Sequence, residues 1–278
     1  MVKKVGFIGL GDIGLPMAKC VAARGYEVAV CGHVRREPVE EMKKAGAKEV
    51  SSPKEVALAS DVTITMVRDD AESEEIILKP NGVMEGTKEG SGIILMSTLS
   101  PAFCRRVGEV GKERGIGVLD APVSGTRMRA ATGDLTLMVG GEKGTVEEYR
   151  PVLEAMGNIT HCGDLGAGQV FKLVNNMTLT INIQGVMEAL RWGIRNGANE
   201  DALIEVVKTS TGNSWVVENW HKYVRPLVTA DPPPIIRELG LKDLKLAIDV
   251  GDKMKIPLPL TSLTSQLRKI GETNTFRV

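Results

Sequence analysis

Three glycines, Gly9, Gly11 and Gly14, follow at once on the apolar run Val5-Gly6-Phe7-Ile8 and precede Leu15-Pro16-Met17-Ala18, where helical spacing begins. Between a strand and a helix, each glycine of such a turn has its own steric task. The first permits the tight turn, the second lets main chain approach a pyrophosphate, and the third lets the helix pack close to the strand. Phosphates then sit at the helix N-terminus, where N–H groups and the helix dipole favour an anion. Gly9, Leu10, Gly11, Asp12, Ile13 and Gly14 are therefore read as a dinucleotide-binding turn. The alternative is a glycine-rich turn that serves packing only.

Beyond the turn the chain keeps one rhythm. Runs that read as strands at residues 4–10, 27–31, 62–67, 93–97, 117–119 and 135–139 alternate with helical stretches at 16–24, 39–45, 53–59 and 101–113. Near-continuous apolar character fits a parallel sheet buried on both faces. Residues 146–156 read as a further helix and 159–163 as a short strand. The spacing predicts an α/β fold with an N-terminal Rossmann-type doubly wound sheet over residues 1–165. After Gly166-Ala167-Gly168 the period changes, and residues 169–196 run without proline as one long helix stopped by Gly197. Helical stretches at 201–209, 214–223, 241–252 and 261–270 follow, with Pro232-Pro233-Pro234 as a loop or rigid turn. Residues 166–278 are thus predicted as an all-α C-terminal domain, joined through the long helix. There is no internal repeat.

Composition narrows the partners. Lys plus Arg and Asp plus Glu are equal at 35 each, so no positive excess exists to hold a nucleic acid or an anionic membrane surface. Cys20, Cys31, Cys104 and Cys162 stand far apart, with no CxxC pair and no Cys/His cluster at metal-ligand spacing. The apolar run after Lys3-Lys4 breaks at Gly11-Asp12, too short for a signal peptide. A cytoplasmic protein with reduced thiols, no bound metal and a small-molecule partner is expected.

The residue ending the second strand sets the choice of dinucleotide, since a carboxylate there binds the adenosine ribose while arginines suit a 2′-phosphate. Here Cys31 is followed by Gly32-His33-Val34-Arg35-Arg36. With no acid and two guanidiniums close by, NADP is favoured and NAD is the alternative. His33 could stack near the adenine or be a plain loop residue, and the two arginines could equally be an exposed helix start.

Four segments together resemble the β-hydroxyacid dehydrogenase family, which includes 3-hydroxyisobutyrate dehydrogenase, tartronate semialdehyde reductase and succinic semialdehyde reductases, and is related to 6-phosphogluconate dehydrogenase. They are Gly6-Phe7-Ile8-Gly9-Leu10-Gly11 through Ala18, Asp120-Ala121-Pro122-Val123-Ser124-Gly125, Gly166-Ala167-Gly168 with Lys172, Asn175 and Asn176, and Leu241-Lys242-Asp243-Leu244. The resemblance implies an oxidoreductase that moves a hydride between a nicotinamide and the carbinol carbon of a small hydroxy acid or its semialdehyde. It implies that Lys172 is the general acid/base, that Ser124 and Gly125, with Thr126 next to them, bind the substrate carboxylate, and that Asn176 and Lys242 lie at the substrate. It further implies that Thr98 lies by the nicotinamide, that Met66 and Val67 lie along the cofactor, and that Lys242 reaches the cofactor side of the cleft.

The residues argue for the same chemistry. Reducing an aldehyde puts negative charge on its oxygen, so a proton donor must lie within reach while the cofactor supplies the hydride. A lysine does this where burial or neighbouring cations bring its pKa down from about 10.4. Lys172, Asn175 and Asn176 fall at i, i+3 and i+4, on one side of the long helix. A solvent-exposed polar stripe is the alternative. Ser124-Gly125 fits a hydroxyl and N–H arrangement that accepts a carboxylate, or a simple turn.

Two departures from the family pattern stand out. Thr126 and Arg129 replace glycines in Thr126-Arg127-Met128-Arg129-Ala130, and the two arginines either select a doubly charged substrate or sit at the surface. The loop after the second strand is one residue longer than usual. The rival readings are a non-catalytic dinucleotide-binding sensor or scaffold and imine reduction on the same architecture. Trp192, Trp215 and Trp220 are expected in core or interface packing. The apolar long helix of a small second domain points to a homodimer or homotetramer.

Overall fold

The computed structural model describes residues 2–32, 35–229 and 234–269. The chain divides into two compact units, Met1–Lys172 and Leu173–Val278. The first contains β1 (Lys4–Ile8), α1 (Gly14–Ala23), β2 (Glu27–Cys31), α2 (Glu37–Lys44), β3 (Lys48–Val50), α3 (Pro53–Leu58), β4 (Val62–Thr65), α4 (Asp70–Leu78), α5 (Val83–Gly86) and β5 (Gly92–Leu95). It continues with α6 (Pro101–Glu113), β6 (Gly117–Asp120), β7 (Val123–Ser124), α7 (Arg127–Ala131), β8 (Leu135–Gly140), α8 (Lys143–Leu153), β9 (Gly157–Gly163) and the start of α9 (Ala167–Arg195).

The strands form one sheet in the order β3-β2-β1-β4-β5-β6-β8-β7, with β9 on β8. From β3 to β6 every pairing is parallel. Strand order reverses between β1 and β4, which opens a crevice at their carboxyl ends. The glycine turn leaves β1 and Met66-Val67 leaves β4 at that point. The sheet departs from the expected uniform parallel arrangement at β8, which is antiparallel to β6 and β7. Between β7 and β8 the chain has only Gly125 to Asp134, and a parallel crossover needs about a dozen residues or more. An antiparallel return is the arrangement left.

Neighbouring residues of a strand belong to different cores, as the two-residue period requires. Val5, Phe7, Val30, Ile94 and Leu119 pack on one face with Met17 and Val21 of α1. Ile8, Ala29, Ile93, Leu95 and Val118 pack on the other with Val56 of α3 and Val107 of α6. Ser52, Asp69 and Ser100 cap α3, α4 and α6 by accepting from the main-chain N–H three residues on. The Asp69 cap starts α4, which the sequence reading lacks because its acidic face shows little apolar period.

In the second unit every element among the described residues is helical. After α9 come α10 (Glu200–Lys208), α11 (Trp215–Glu218), a π-helical turn Trp220–Val224, α12 (Arg225–Thr229), α13 (Pro234–Lys253) and α14 (Pro259–Lys269). Gly197 ends α9 at φ +89, its N–H donating to Ile194 O at 2.9 Å and that of Ala198 to Gly193 O at 3.1 Å. The expected helix over 214–223 divides at Asn219. There Trp220, fully buried with Met187, Leu190 and Ile204, donates from Nε1 to Glu200 at 2.8 Å. Pro234 opens α13 rather than a loop, because the first helical position needs no N–H. Among the described residues, no helix is long and apolar enough to cross a membrane.

Candidate active site

The glycine turn separates what packing demands from what it leaves open. Gly9 has φ +99, and a Cβ there would lie 2.1 Å from Met66 O. A Cβ on Gly14 would lie 1.9 Å from Gly9 O. Both glycines are required by the protein's own main chain. A Cβ on Gly11 would meet nothing within 4 Å, so no neighbour in the chain asks for glycine there. Helix α1 begins beyond Ile13 with no side-chain cap and no acid in its first turn. Open space over Gly11 and an uncapped helix start suit a pyrophosphate. Leu10 and Ile13 are half-buried beside the core, and Asp12 is exposed.

The turn is tied to the next strand, because Met66 N–H donates to Ile8 O at 2.8 Å. Val67 N–H in turn donates to Ser97 Oγ at 2.8 Å. Met66, Val67 and the segment around Thr98 are thus brought together at the carboxyl ends of β4 and β5.

After β2 the picture differs from the sequence expectation. His33 lies outside the described residues. Arg35 is exposed. Arg36 is engaged: its Nη1 bonds Glu49 Oε1 at 2.5 Å, and its Nη2 bonds Glu49 Oε2 at 3.1 Å and Glu40 Oε1 at 2.9 Å. Donating to Glu49 and Glu40 holds the guanidinium above its ordinary pKa; the bond from Arg36 holds Glu49 below its own, and bonds from Lys43 first and Arg36 second hold Glu40 below its own. Glu49 lies on β3, opposite Val30 of β2. An acid does therefore stand near the end of β2, supplied by the neighbouring strand and invisible to a reading of the loop alone.

Ser124 ends β7 and is half-buried. Gly125 has φ +147, and a Cβ there would lie 2.6 Å from Leu135 Cδ2, so glycine is required by both conformation and space. Thr126 caps α7 by accepting from Arg129 N–H at 3.4 Å. Substituting glycine by threonine here thus starts a short helix. Arg129 Nε bonds Asp134 Oδ2 at 3.1 Å, and Arg127 is exposed.

On α9, Lys172, Asn175 and Asn176 are all half-buried. Asn175 Nδ2 donates to Asn176 Oδ1 at 3.0 Å. Asn176 Nδ2 donates to Asp243 Oδ2 at 2.6 Å, while Lys242 Nζ lies 3.2 Å from Asp243 Oδ1. The Lys242 and Asp243 side chains are only 22% and 13% exposed, so this is not the surface pair that adjacent Lys-Asp residues often form. Asp243 takes a role that the motif alone does not assign, and its mark in the sequence is the polar pair Lys242-Asp243 inside an otherwise half-apolar helical stretch.

A glycine turn shaped for a dinucleotide, at the switch point of a doubly wound sheet and followed by a helical unit, defines a dinucleotide-binding protein of the Rossmann class. Residues 4–165 match the model described as the NAD binding domain of 6-phosphogluconate dehydrogenase. Residues 166–275 match that described as NAD-binding of NADP-dependent 3-hydroxyisobutyrate dehydrogenase. The chain is 34% identical to the NAD-dependent L-serine dehydrogenase of Pseudomonas aeruginosa, over 97% of this chain and 92% of that one. It is 35% identical to the mitochondrial 3-hydroxyisobutyrate dehydrogenase of Mus musculus, over 96% and 81%. A solved structure of Mycobacterium tuberculosis 3-hydroxyisobutyrate dehydrogenase with L-serine superposes with a TM-score of 0.86 at 28% identity, covering 99% of this chain and 97% of that one. The chain belongs to the β-hydroxyacid dehydrogenase family and is a dehydrogenase acting on the CH–OH group of hydroxy acids.

Proposed function

We infer that the enzyme interconverts a small hydroxy acid and its semialdehyde, prefers NADP to NAD, and uses Lys172 as its general acid/base. The observation that carries this reading is the polar face of α9. Lys172 and Asn176 stand one turn apart, and Asn176 is bonded to a half-buried Asp243 that also pairs with Lys242. Half-buried polar groups of this kind are costly without a partner or a task. Divergent residues 1–165 and 166–278 would then serve the nucleotide and the substrate respectively.

The nicotinamide supplies or takes the hydride when bound. In reduction the Lys172 ammonium gives its proton to the carbonyl oxygen as charge gathers there, and is left as the neutral amine. In oxidation the amine takes the hydroxyl proton back. Ser124 Oγ–H and the Gly125 N–H donate to the substrate carboxylate, and Asn176 donates an amide hydrogen to the substrate. Thr98 lies by the nicotinamide, Met66 and Val67 lie along the cofactor, and Lys242 adds positive charge on the cofactor side. Arg35 and Arg36 support the NADP preference, with Glu49 as the competitor that a 2′-phosphate must displace from Arg36. Four cysteines, with no disulfide among the described residues, fit a reducing cytoplasm. Phe171, Val174 and Trp192 of α9 are 50%, 53% and 72% exposed, and support a homodimer or homotetramer that covers them.

The test follows NADPH and NADH separately against glyoxylate, tartronate, methylmalonate and succinate semialdehydes, with K172A alongside. The expected result is oxidation of NADPH by at least one of them, and a K172A turnover lower by about 10²- to 10⁴-fold with unchanged nucleotide affinity. Full activity in K172A refutes the lysine's role. Nucleotide binding without turnover on any carboxylated aldehyde refutes the reaction.

A further inference from the structure

A buried chain of hydrogen bonds fastens the first turn of α9 to the sheet, and the chemistry above makes no use of it. Asp120, at the end of β6, is fully buried. Its Oδ1 accepts from Gly166 N–H at 2.6 Å and its Oδ2 from Gln169 N–H at 2.8 Å. Gln169 is also fully buried, and its side chain continues the chain. Nε2 donates to Ser97 O at 2.9 Å, and Oε1 accepts from Leu99 N–H at 2.9 Å. Both partners are main chain, one a fixed acceptor and the other a fixed donor, so the orientation of the amide is determined. The amide brackets Thr98. One residue earlier, the Ser97 hydroxyl accepts the N–H of Val67.

The surroundings leave no slack. A Cβ on Gly168 would lie 2.1 Å from Met138 O and 2.8 Å from Asp120 Oδ2, and one on Gly140 would lie 2.3 Å from Asp120 Oδ1. Lys172 follows Gln169 by three residues, one helical turn and roughly 4.5 Å along the axis. All of these residues lie within the unit Met1–Lys172.

We propose that Gln169 is a positioning residue for hydride transfer. Its amide locks the main chain on both sides of Thr98 and, through the helical turn it shares with Lys172, fixes the distance between the nicotinamide-facing segment and the proton donor. The proposal rests on the reading in which Thr98 and Lys172 flank the reacting carbon. An amide is the side chain the place demands, since it offers one donor and one acceptor without carrying charge. A hydrocarbon would leave Ser97 O and Leu99 N–H buried and unpaired. A carboxylate would face the Ser97 carbonyl and lie close to Asp120, whose own carboxyl burial already pushes up to about 6. The titratable and charged groups facing this point include Cys104 of α6, whose thiol burial holds well above its usual range and which interacts with the Gln169 side chain and with Asp70, Cys162 of β9, which interacts with Asp120, Arg105, whose charge favours ionised Asp120, and Lys172 one turn along α9.

Three variants are compared by steady-state kinetics with NAD(P)H and with its C4-deuterated form. Q169M is expected to fold and to bind nucleotide with wild-type affinity. Its kcat should fall by about 10- to 100-fold, the usual consequence of misplacing reacting groups by an ångström or less, and its isotope effect on kcat should rise as hydride transfer becomes limiting. Q169E should recover turnover relative to wild type as pH falls, because the protonated acid regains a donor toward Ser97 O. K172A separates the two levels of the argument. Full activity in K172A means that the reading of the site has failed, whereas an inactive K172A beside a fully active Q169M overturns the positioning role alone. Should Q169M not fold, Q169E decides: recovery on acidification supports the proposal and a pH-independent ratio overturns it. Failure of both glutamine variants to fold makes Gln169 a structural residue and overturns it too.

Discussion

The two stretches of α9 on either side of Lys172 are organised by different means. Before it, the helix is held by main-chain donors and acceptors closing on two buried side chains, Asp120 and Gln169. After it, Asn176, Asp243 and Lys242 are held by bonds between half-buried side chains. Main-chain geometry tolerates substitution until a Cβ collides, and then fails outright. Side-chain geometry changes by degrees with every residue placed in it. The stretch before Lys172 is therefore fixed by the fold, and the stretch after it is where side chains can be exchanged by degrees.

The sharpest break in that comparison is expected at the glycine turn. G9A forces a Cβ at φ +99 to within 2.1 Å of Met66 O, and should lose on the order of 3–5 kcal/mol of stability in denaturant titrations. G11A meets nothing within 4 Å and should stay within about 0.5 kcal/mol of wild type, yet bind NAD(P)H more weakly by calorimetry. Equal stability in both variants, or wild-type binding by G11A, would remove the distinction between a turn shaped by packing and a turn shaped by a ligand.

That distinction also explains how much could be read in advance. The turn, the strand Glu27–Cys31 and the helix Pro101–Glu113 were legible because apolar period and Gly/Pro punctuation report local geometry. The three-residue β3 and two-residue β7 carry too few positions for any period to show. Glu49 was missed for the same reason, since its meeting with Arg36 depends on β3 pairing with β2. Lys172 and Asn176 were legible as a face because helical spacing is local. The roles of Gln169 and Asp243 were not, because their partners Ser97 and Asn176 lie 72 and 67 residues from them in sequence.

The buried end of the comparison should be visible in pH. Desolvation raises the Asp120 carboxyl from an ordinary 3.8 to about 6. A group raised on folding contributes stability that is complete below its unfolded pKa and is lost as pH rises through its folded one. In the native state wild type takes up this proton near 6, whereas its unfolded chain does so only near 3.8, and D120N takes up none. Exposed carboxyls held low by cations, such as Glu74 and Glu147, work in the opposite sense but are common to both proteins. The stability of wild type minus that of D120N should therefore grow as pH falls from 7 to 4, by up to about 3 kcal/mol. A difference that stays flat in urea titrations across that range would place Asp120 in a far more polar setting than its burial gives it.

The smallest effect belongs to the side-chain end. D243N keeps size and shape, and Asn176 Nδ2 can still donate to the remaining carbonyl oxygen. What is lost is the charge on that acceptor and the ion pair to Lys242, which is 22% exposed and therefore partly screened. A loss of about 1–2 kcal/mol corresponds to a factor of about 5–30. Because Asn176 is assigned to the substrate, the change should appear in the KM for the acid, with nucleotide affinity and melting temperature near wild type. An effect confined to nucleotide affinity would mean that Asp243 serves Lys242 on the cofactor side rather than Asn176, and one confined to melting temperature would make it a strut. Either result would leave the contrast between a main-chain-held stretch and a side-chain-held one without a consequence for the substrate.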